Sequence, residues 1–474
     1  MIIGRMEEQA TLRHALVEEN AQFIAVYGRR RVGKTFLIRE TFNNAFAFQY
    51  TGAANMTARK QLARFRLALR QQGLHDVMPT ISNWLNAFSE LQRLITILPD
   101  GKKVIFLDEL PWMDAPRSGF LSEFEAFWNG WASARKDIVL IACGSSTSWM
   151  VKKIIKNKGG LHNRLTHRIS LKPFKLQECE AMMEANNIVM TREQVLQTYM
   201  IFGGVPYYWS LLLPGKSMAQ EVDRLFFSEE GDLHDEFNML YASLFHRPEP
   251  YLKVISLLAE RKSGMTRRQI IEQGKFNNNG DFTTILNDLE WCGFIRSYSL
   301  PTKSVKEQIW QLIDNYTLFY YTFVNKYKKT DNFWETANGT SSYNTWCGLA
   351  FERVCLQHTA QIKKKLGISG IRTTEYAWHY KGDKNKGIHG AQIDLLIDRG
   401  DGIMDLCEMK FSQAEYTITE AYSKELANKR QVFLDVTKTR KAIHTIMVTT
   451  YGVSRNAYAH CIQNEITMDD LFQT

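Results

Sequence analysis

Three stretches of the chain are apolar at consecutive positions, and each ends in small or acidic residues. Phe23-Ile24-Ala25-Val26-Tyr27 runs into Gly28, Val104-Ile105-Phe106-Leu107 into Asp108-Glu109, and Ile138-Val139-Leu140-Ile141-Ala142-Cys143 into Gly144-Ser145-Ser146. Unbroken apolar runs of this kind are the pattern of parallel strands covered on both faces, whose ligands gather at the C-terminal ends. A helical segment, Phe36-Leu37-Ile38-Arg39-Glu40, leaves the turn after the first run. The pattern predicts a multi-domain α/β chain with a parallel sheet near its start.

After Arg247-Pro248-Glu249-Pro250 the periodicity changes. Residues 251–261 place Leu252, Ile255, Leu258 and Ala259 on one helical face, and Thr266 is set to cap a second helix with Ile270 and Ile271 inward. A polar turn over 277–281 precedes a third helix over 282–292. Two short strands, 293–298 and 307–312, flank a turn containing Lys303 and Lys306. Three helices and a hairpin predict a winged helix, in which the third helix can enter a DNA groove. The aromatic run Phe319, Tyr320, Tyr321 and Phe323 reads as core packing on a helix. Residues 326–344 are polar and predict a linker. Beyond them come a helix bearing Glu352, a strand over 392–398, a turn over 399–402, a strand over 405–410 and an amphipathic segment over 419–429.

At 474 residues the chain is too long for one core, and about three domains are expected. Its net charge of +9 favours an anionic partner, or equally a solvated basic surface. Lys253, Arg261, Lys262, Arg267, Arg268 and Lys275 gather on the first two helices of the trio, a footprint for DNA phosphates. The third helix carries Asp288 and Glu290, so docking to protein stays open as well. The seven cysteines show no C-x-x-C pair, which predicts reduced thiols and a cytoplasmic protein. No apolar run approaches the ~18 residues of a membrane span, so no membrane partner is expected.

Gly28-Arg29-Arg30-Arg31-Val32-Gly33-Lys34-Thr35 is a complete Walker A loop between a strand and a helix that opens at Phe36. Glycine lets successive N–H groups converge on phosphate, and the helix N-terminus adds partial positive charge. Lys34 is placed to reach the β- and γ-phosphates of ATP, with the Thr35 hydroxyl on Mg²⁺. Asp108 would hold the same Mg²⁺ through water, and Glu109 would polarise the attacking water. Ser145 or Ser146 either contacts the γ-phosphate or that water, or caps the following helix.

Other segments carry a resemblance. Ile2-Ile3-Gly4-Arg5-Met6-Glu7-Glu8 looks like the opening motif of AAA+ ATPases, whose backbone brackets adenine. The stretch Gly160-Leu161-His162-Asn163-Arg164-Leu165 is similar to the segment bearing an arginine finger, and Gly203-Gly204-Val205-Pro206 resembles a lid motif whose proline packs on the base. Together these resemble the archaeal-type ATPase family, also found in bacteria. The resemblance implies an AAA+ P-loop core (residues 1–170), a helical lid (171–247), a winged helix (248–328), a linker (329–346) and a nuclease-like domain (347–474). It also implies that Arg164 acts on a partner, either another copy or another protein, or else is an ordinary loop arginine.

In Glu408-Met409-Lys410 the outer residues point to one face of a strand, and an adjacent strand can bring Asp394 beside them. Two carboxylates there would bind Mg²⁺, and Lys410 would orient water or stabilise the charged phosphorane. The order resembles the PD-(D/E)xK nucleases, with Glu352 as the upstream acid. Lys363, Lys364, Lys365, Lys381, Lys384 and Lys386 flank the motif and could steer a polyanion. The resulting expectation is an ATP-hydrolysing protein whose nucleotide state controls DNA binding or metal-dependent DNA cleavage. Its alternative is an ATP-dependent switch with a catalytically inactive docking domain.

Overall fold

The structure is a computed structural model that describes residues 2–75, 80–245, 247–261, 263–298, 308–327, 330, 332–380, 382 and 390–473. Lys262, Lys303, Lys306, Glu307, Lys328, Lys329, Asp331, Lys381, Lys384 and Lys386 lie outside the described residues. The chain divides into two compact units, Met1–Lys172 and Pro173–Thr474.

In the first unit the apolar runs form a five-stranded parallel sheet from β1 (Gln22–Tyr27), β2 (Phe48–Thr51), β3 (Lys103–Asp108), β4 (Ile138–Gly144) and β5 (His167–Ser170), in the order β2-β3-β4-β1-β5. The period of two divides each strand between two cores. Phe23, Ala25, Ile105, Leu107, Leu140 and Ala142 face one; Ile24, Val26, Val104, Phe106, Val139 and Ile141 face the other. Helices α1 (Met6–His14) and α2 (Lys34–Thr41) contribute Leu12, Leu37 and Ile38 to the second core. Three more, α3 (Ala58–Gln71), α4 (Trp84–Ile97) and α5 (Phe120–Gly130), fill the first with aromatic rings, among them Phe65, Trp84, Phe88, Phe120 and Phe124. With both faces covered, only the strand ends are left to carry chemistry.

The second unit begins with helices that pack Tyr199, Phe202, Tyr208 and Trp209 together. Helices Glu249–Ala259, Arg267–Gly274 and Gly280–Trp291 follow, with Thr266 capping the second through the N–H of Gln269. A three-stranded antiparallel sheet accompanies them: β6 (Met265–Thr266), β7 (Ile295–Tyr298) and β8 (Ile309–Leu312), in the order β6-β8-β7. The short β6 was not foreseen, because two residues carry no readable period.

The expected linker is packed instead. Helix Phe333–Ala337 buries Trp334 against Phe319, Phe323 and Trp346, and the Asp223 carboxylate accepts the N–H groups of Trp334 and Glu335 at 2.7 and 2.9 Å. The polarity of the stretch reflects turns around one buried tryptophan. The helix expected from Gly348 starts earlier and runs Ser341–Gln357.

The last part is a mixed five-stranded sheet, β13-β12-β11-β10-β9, of which β9 (Thr373–Tyr380), β10 (Ala391–Arg399) and β11 (Ile403–Lys410) form an antiparallel meander. Helix Glu420–Thr437 then crosses over to β12 (Ala442–Thr449), parallel to β11, and β13 (Asn464–Ile466) extends the sheet. Phe433 and Val432 of that helix pack with Trp378, Ile393 and Leu396.

Candidate functional site

The C-terminal ends of β1, β3 and β4 converge on one polar cluster. Gly28 leaves β1 at φ 153°, where a Cβ would stand 2.3 Å from the carbonyl oxygen of Leu171, so no other residue fits the turn. Gly33, at φ 88°, opens α2. The buried Lys34 ammonium donates to the carbonyls of Gly28 and Arg29 at 2.9 and 3.0 Å, curling back over its own loop. Arg29 and Val32 are buried, Arg30 and Phe36 exposed, and Arg31 takes the left-handed conformation at φ 71°.

Thr35 donates its hydroxyl to Asp108 Oδ2 at 2.8 Å, and Asp108 Oδ1 accepts the N–H of Glu109 at 2.9 Å. Two oxygens from different elements thus meet at the foot of the loop, a donor set that suits a hard cation. Glu109 is left-handed, at φ 47°. Its Oε2 accepts the hydroxyl of Ser145 at 2.7 Å and the Ser145 N–H at 3.1 Å. Ser146 stands before the helical turn Thr147–Trp149 without making a side-chain cap, so of the two serines it is Ser145 that joins the acidic pair. Arg164 is exposed in the segment before β5. Pro206 is in the second unit, as the first residue of helix Pro206–Trp209.

In the second unit the adjacency of β10 and β11 brings the predicted acids together. Asp394 lies next to the Leu395–Cys407 pair, and its Oδ2 accepts the N–H of Met409 at 3.2 Å. Glu408 is 2 % exposed. Burial, and then the nearby Asp394 carboxylate, push its pKa up to about 7. Burial also raises Glu352; Arg353, whose Nη1 is 2.9 Å from Glu352 Oε1, opposes that rise and Asp394 adds to it. Arg296 of β7 belongs to the same electrostatic neighbourhood, with its pKa lowered to about 10 by burial and by Arg353. Lys410 lies over the ring of Tyr422, 5.1 Å from its centroid.

The donors fit a divalent cation in kind: they are carboxylates, and Glu408 Oε1 is buried without a hydrogen-bond partner. Among the described residues, however, no three His, Cys, Asp or Glu side chains stand close enough to hold a metal ion. Glu408 Oε2 is bound by protein, with Lys429 Nζ at 2.7 Å and the Tyr422 hydroxyl donating at 3.4 Å.

Residues 3–212 match the model of the ATPase domain predominantly from Archaea. This region resembles an archaeal-type ATPase domain. An uncharacterized protein of Methanocaldococcus jannaschii is 26 % identical over 404 residues, covering 84 % of each chain. Among solved structures, the Walker-type ATPase PABY2304 of Pyrococcus abyssi is 15 % identical with a TM-score of 0.49, over 68 % of this chain and 96 % of that one. The ORC2 protein of Aeropyrum pernix is 13 % identical with a TM-score of 0.43, over 69 % and 94 %. The family match supports ATP binding and hydrolysis.

The cluster around Asp108 and Glu109 uses one residue that motif reading missed. Gly52, at the end of β2, donates its N–H to the Asp108 carbonyl at 2.9 Å, and a Cβ there would stand 2.5 Å from the Glu109 carbonyl. The signal was a glycine directly after a short strand. At the C-terminal centre, Tyr422 and Lys429 were missed as participants. They stand seven residues apart, two turns along one helix face.

Proposed function

We propose that this protein is a nucleotide-switched DNA-processing enzyme, in which the ATPase domain controls DNA binding or metal-dependent DNA cleavage by residues 347–474. The observation that carries the reading is the assembly of Asp394, Glu408 and Lys410 on neighbouring strands of a chain that also has a Thr35–Asp108–Glu109–Ser145 cluster.

At the first site, Lys34 would leave the loop carbonyls for the β- and γ-phosphates. Thr35 and Asp108 would hold Mg²⁺, which when bound offsets phosphate charge. Glu109, aimed by Ser145, would orient the attacking water and accept its proton. Exposed Arg164 is offered as a contact to a neighbouring subunit's phosphate.

Residues 249–312 have the element order of a winged helix, and their charges favour DNA. Lys253, Arg261, Arg268 and Lys275 are exposed. Two acids of the third helix are engaged inside the module, while Asp281 in its first turn is exposed: Asp288 accepts the Tyr251 hydroxyl at 3.0 Å, and Glu290 accepts both the N–H and the hydroxyl of Ser297.

At the second site Asp394 and Glu408, with Glu352 behind them, would hold a divalent cation, which when bound activates water and polarises the phosphodiester. Lys410 would stabilise the charge that develops on the phosphorane. The test is cleavage of single- and double-stranded DNA with Mg²⁺ or Mn²⁺ by wild type, Asp394→Ala and Lys410→Ala. Cleavage by wild type that both substitutions abolish supports the reading; cleavage untouched by either removes the site. The Lys429–Glu408 ion pair favours a second reading, in which the C-terminal domain docks DNA or protein without cutting; that reading predicts no cleavage by wild type.

A further inference from the structure

Lys429 is not used by either proposed reaction, yet it makes the shortest polar contact at the acidic centre. Its ammonium is 2.7 Å from Glu408 Oε2 and 3.3 Å from Glu425 Oε1, and the side chain is 14 % exposed. We infer that Lys429 is the centre's built-in counter-cation, holding Glu408 when no metal is present and giving way when a divalent ion binds. This rests on reading Asp394 and Glu408 as a cation centre.

Glu408 is buried beside a half-buried Asp394, and two close carboxylates without a compensating cation are strongly unfavourable. Lys410 lies over the Tyr422 ring, so the direct ion pair to Glu408 comes from the helix Glu420–Thr437. The lysine also accounts for the open arrangement of the acids. With Oε2 committed to Lys429 and Tyr422, Glu408 presents only its unpartnered Oε1, and no three carboxylates close on one point among the described residues. A divalent ion would bring two charges to the same oxygens. It would compete with the ammonium for lone pairs and make the lysine's charge surplus. Glu425, one helical turn before Lys429 and 54 % exposed, gives the displaced ammonium a second carboxylate without any movement of the backbone. Loading of the centre is then set by one side chain on the crossover helix.

The experiment is Mn²⁺ titration of the nucleotide-free full chain by calorimetry, with thermal melts in parallel, for wild type, Asp394→Ala and Lys429→Met. Wild type is expected to take up an ion that Asp394→Ala does not. Lys429→Met should bind it roughly tenfold more tightly. It should also melt lower than wild type without metal and gain more from Mn²⁺. If Lys429→Met fails to fold, Lys429→Gln removes the charge while keeping an N–H donor, with the same expectation. An Asp394-dependent ion bound equally or more weakly without the lysine would make Lys429 an ordinary structural partner, and the inference falls while the cation centre stands. If neither wild type nor the lysine variants bind an Asp394-dependent ion, the cation centre itself is wrong and the inference falls with it.

Discussion

Ser145 donates twice to one oxygen of Glu109, through its hydroxyl at 2.7 Å and its backbone N–H at 3.1 Å. The acceptor carboxylate sits on a residue in the left-handed conformation, which is unfavourable by about 1 kcal/mol for a side chain of this kind. That strain aims Glu109 away from the line of β3, and Gly52 provides the space for it. Losing the hydroxyl removes one charge-assisted bond of about 1.5 kcal/mol. Ser145→Ala should therefore hydrolyse ATP roughly tenfold more slowly at unchanged ATP affinity. Steady-state turnover beside calorimetric titration checks this, and an unchanged kcat would exclude Ser145 as the positioning group.

Glu109→Gln preserves shape and removes the base. Nucleotide affinity should survive while turnover falls by roughly 100-fold or more. Lys34→Ala should behave in the opposite way and lose ATP binding, because the Lys34 ammonium, at the N-terminus of the helix, is the charge placed to follow the β- and γ-phosphates. A Lys34→Ala protein that bound ATP like wild type would refute the phosphate-loop assignment.

The basic face of residues 249–291 makes a separable prediction. Lys253, Arg261 and Lys275 are exposed, whereas Arg267 is tied to Asn278 Oδ1 at 3.1 Å and stacked on Phe282. Alanine at any of the first three should weaken DNA binding and reduce the slope of log K against log salt by about 1. Arg267→Ala should instead lower the melting temperature. Salt-dependent fluorescence anisotropy distinguishes the two, and slopes identical to wild type at all three exposed positions would direct the search to a protein partner.

What could be read from the sequence follows how local the cause is. The strands ending at Tyr27, Asp108 and Gly144 are unbroken apolar runs, and their ends name the nucleotide cluster because loop, acid and serine must lie at one sheet edge. Glu408 and Lys410 were legible by the period of two. Trp334 was not, because what buries it, the Asp223 carboxylate and the Phe319 and Phe323 rings, comes from elsewhere in the chain. Lys429 was hidden for the same reason, since a lysine among charged helical residues reads as solvated until the strand beneath it is known. The third helix shows the same limit: Asp288 and Glu290 were legible as acids, but that Tyr251 and Ser297 donate to them was not.

His358 joins two parts of the second unit, and its protonation should be felt as stability. The ring is fully buried at the end of helix Ser341–Gln357. Its Nδ1 is 2.7 Å from the Val354 carbonyl, and Nε2 accepts the N–H of Leu176 at 3.1 Å, which requires the neutral form with the proton on Nδ1. Burial, and then the charge of Lys175, lower its pKa to about 3. An unfolded histidine titrates near 6.5. Between those values the unfolded chain holds a proton that the folded chain refuses, so stability falls as pH falls, by about 1.4 kcal/mol per unit once below 6.5. The contribution is fully present above pH 6.5 and is lost as pH drops through the folded value. Urea denaturation of the full chain at pH 7.5, 6.0 and 5.0 should show this slope in wild type. His358→Gln, which cannot titrate, should start lower at pH 7.5 and decline less steeply. Parallel declines in the two proteins would mean that the acid sensitivity arises at other groups.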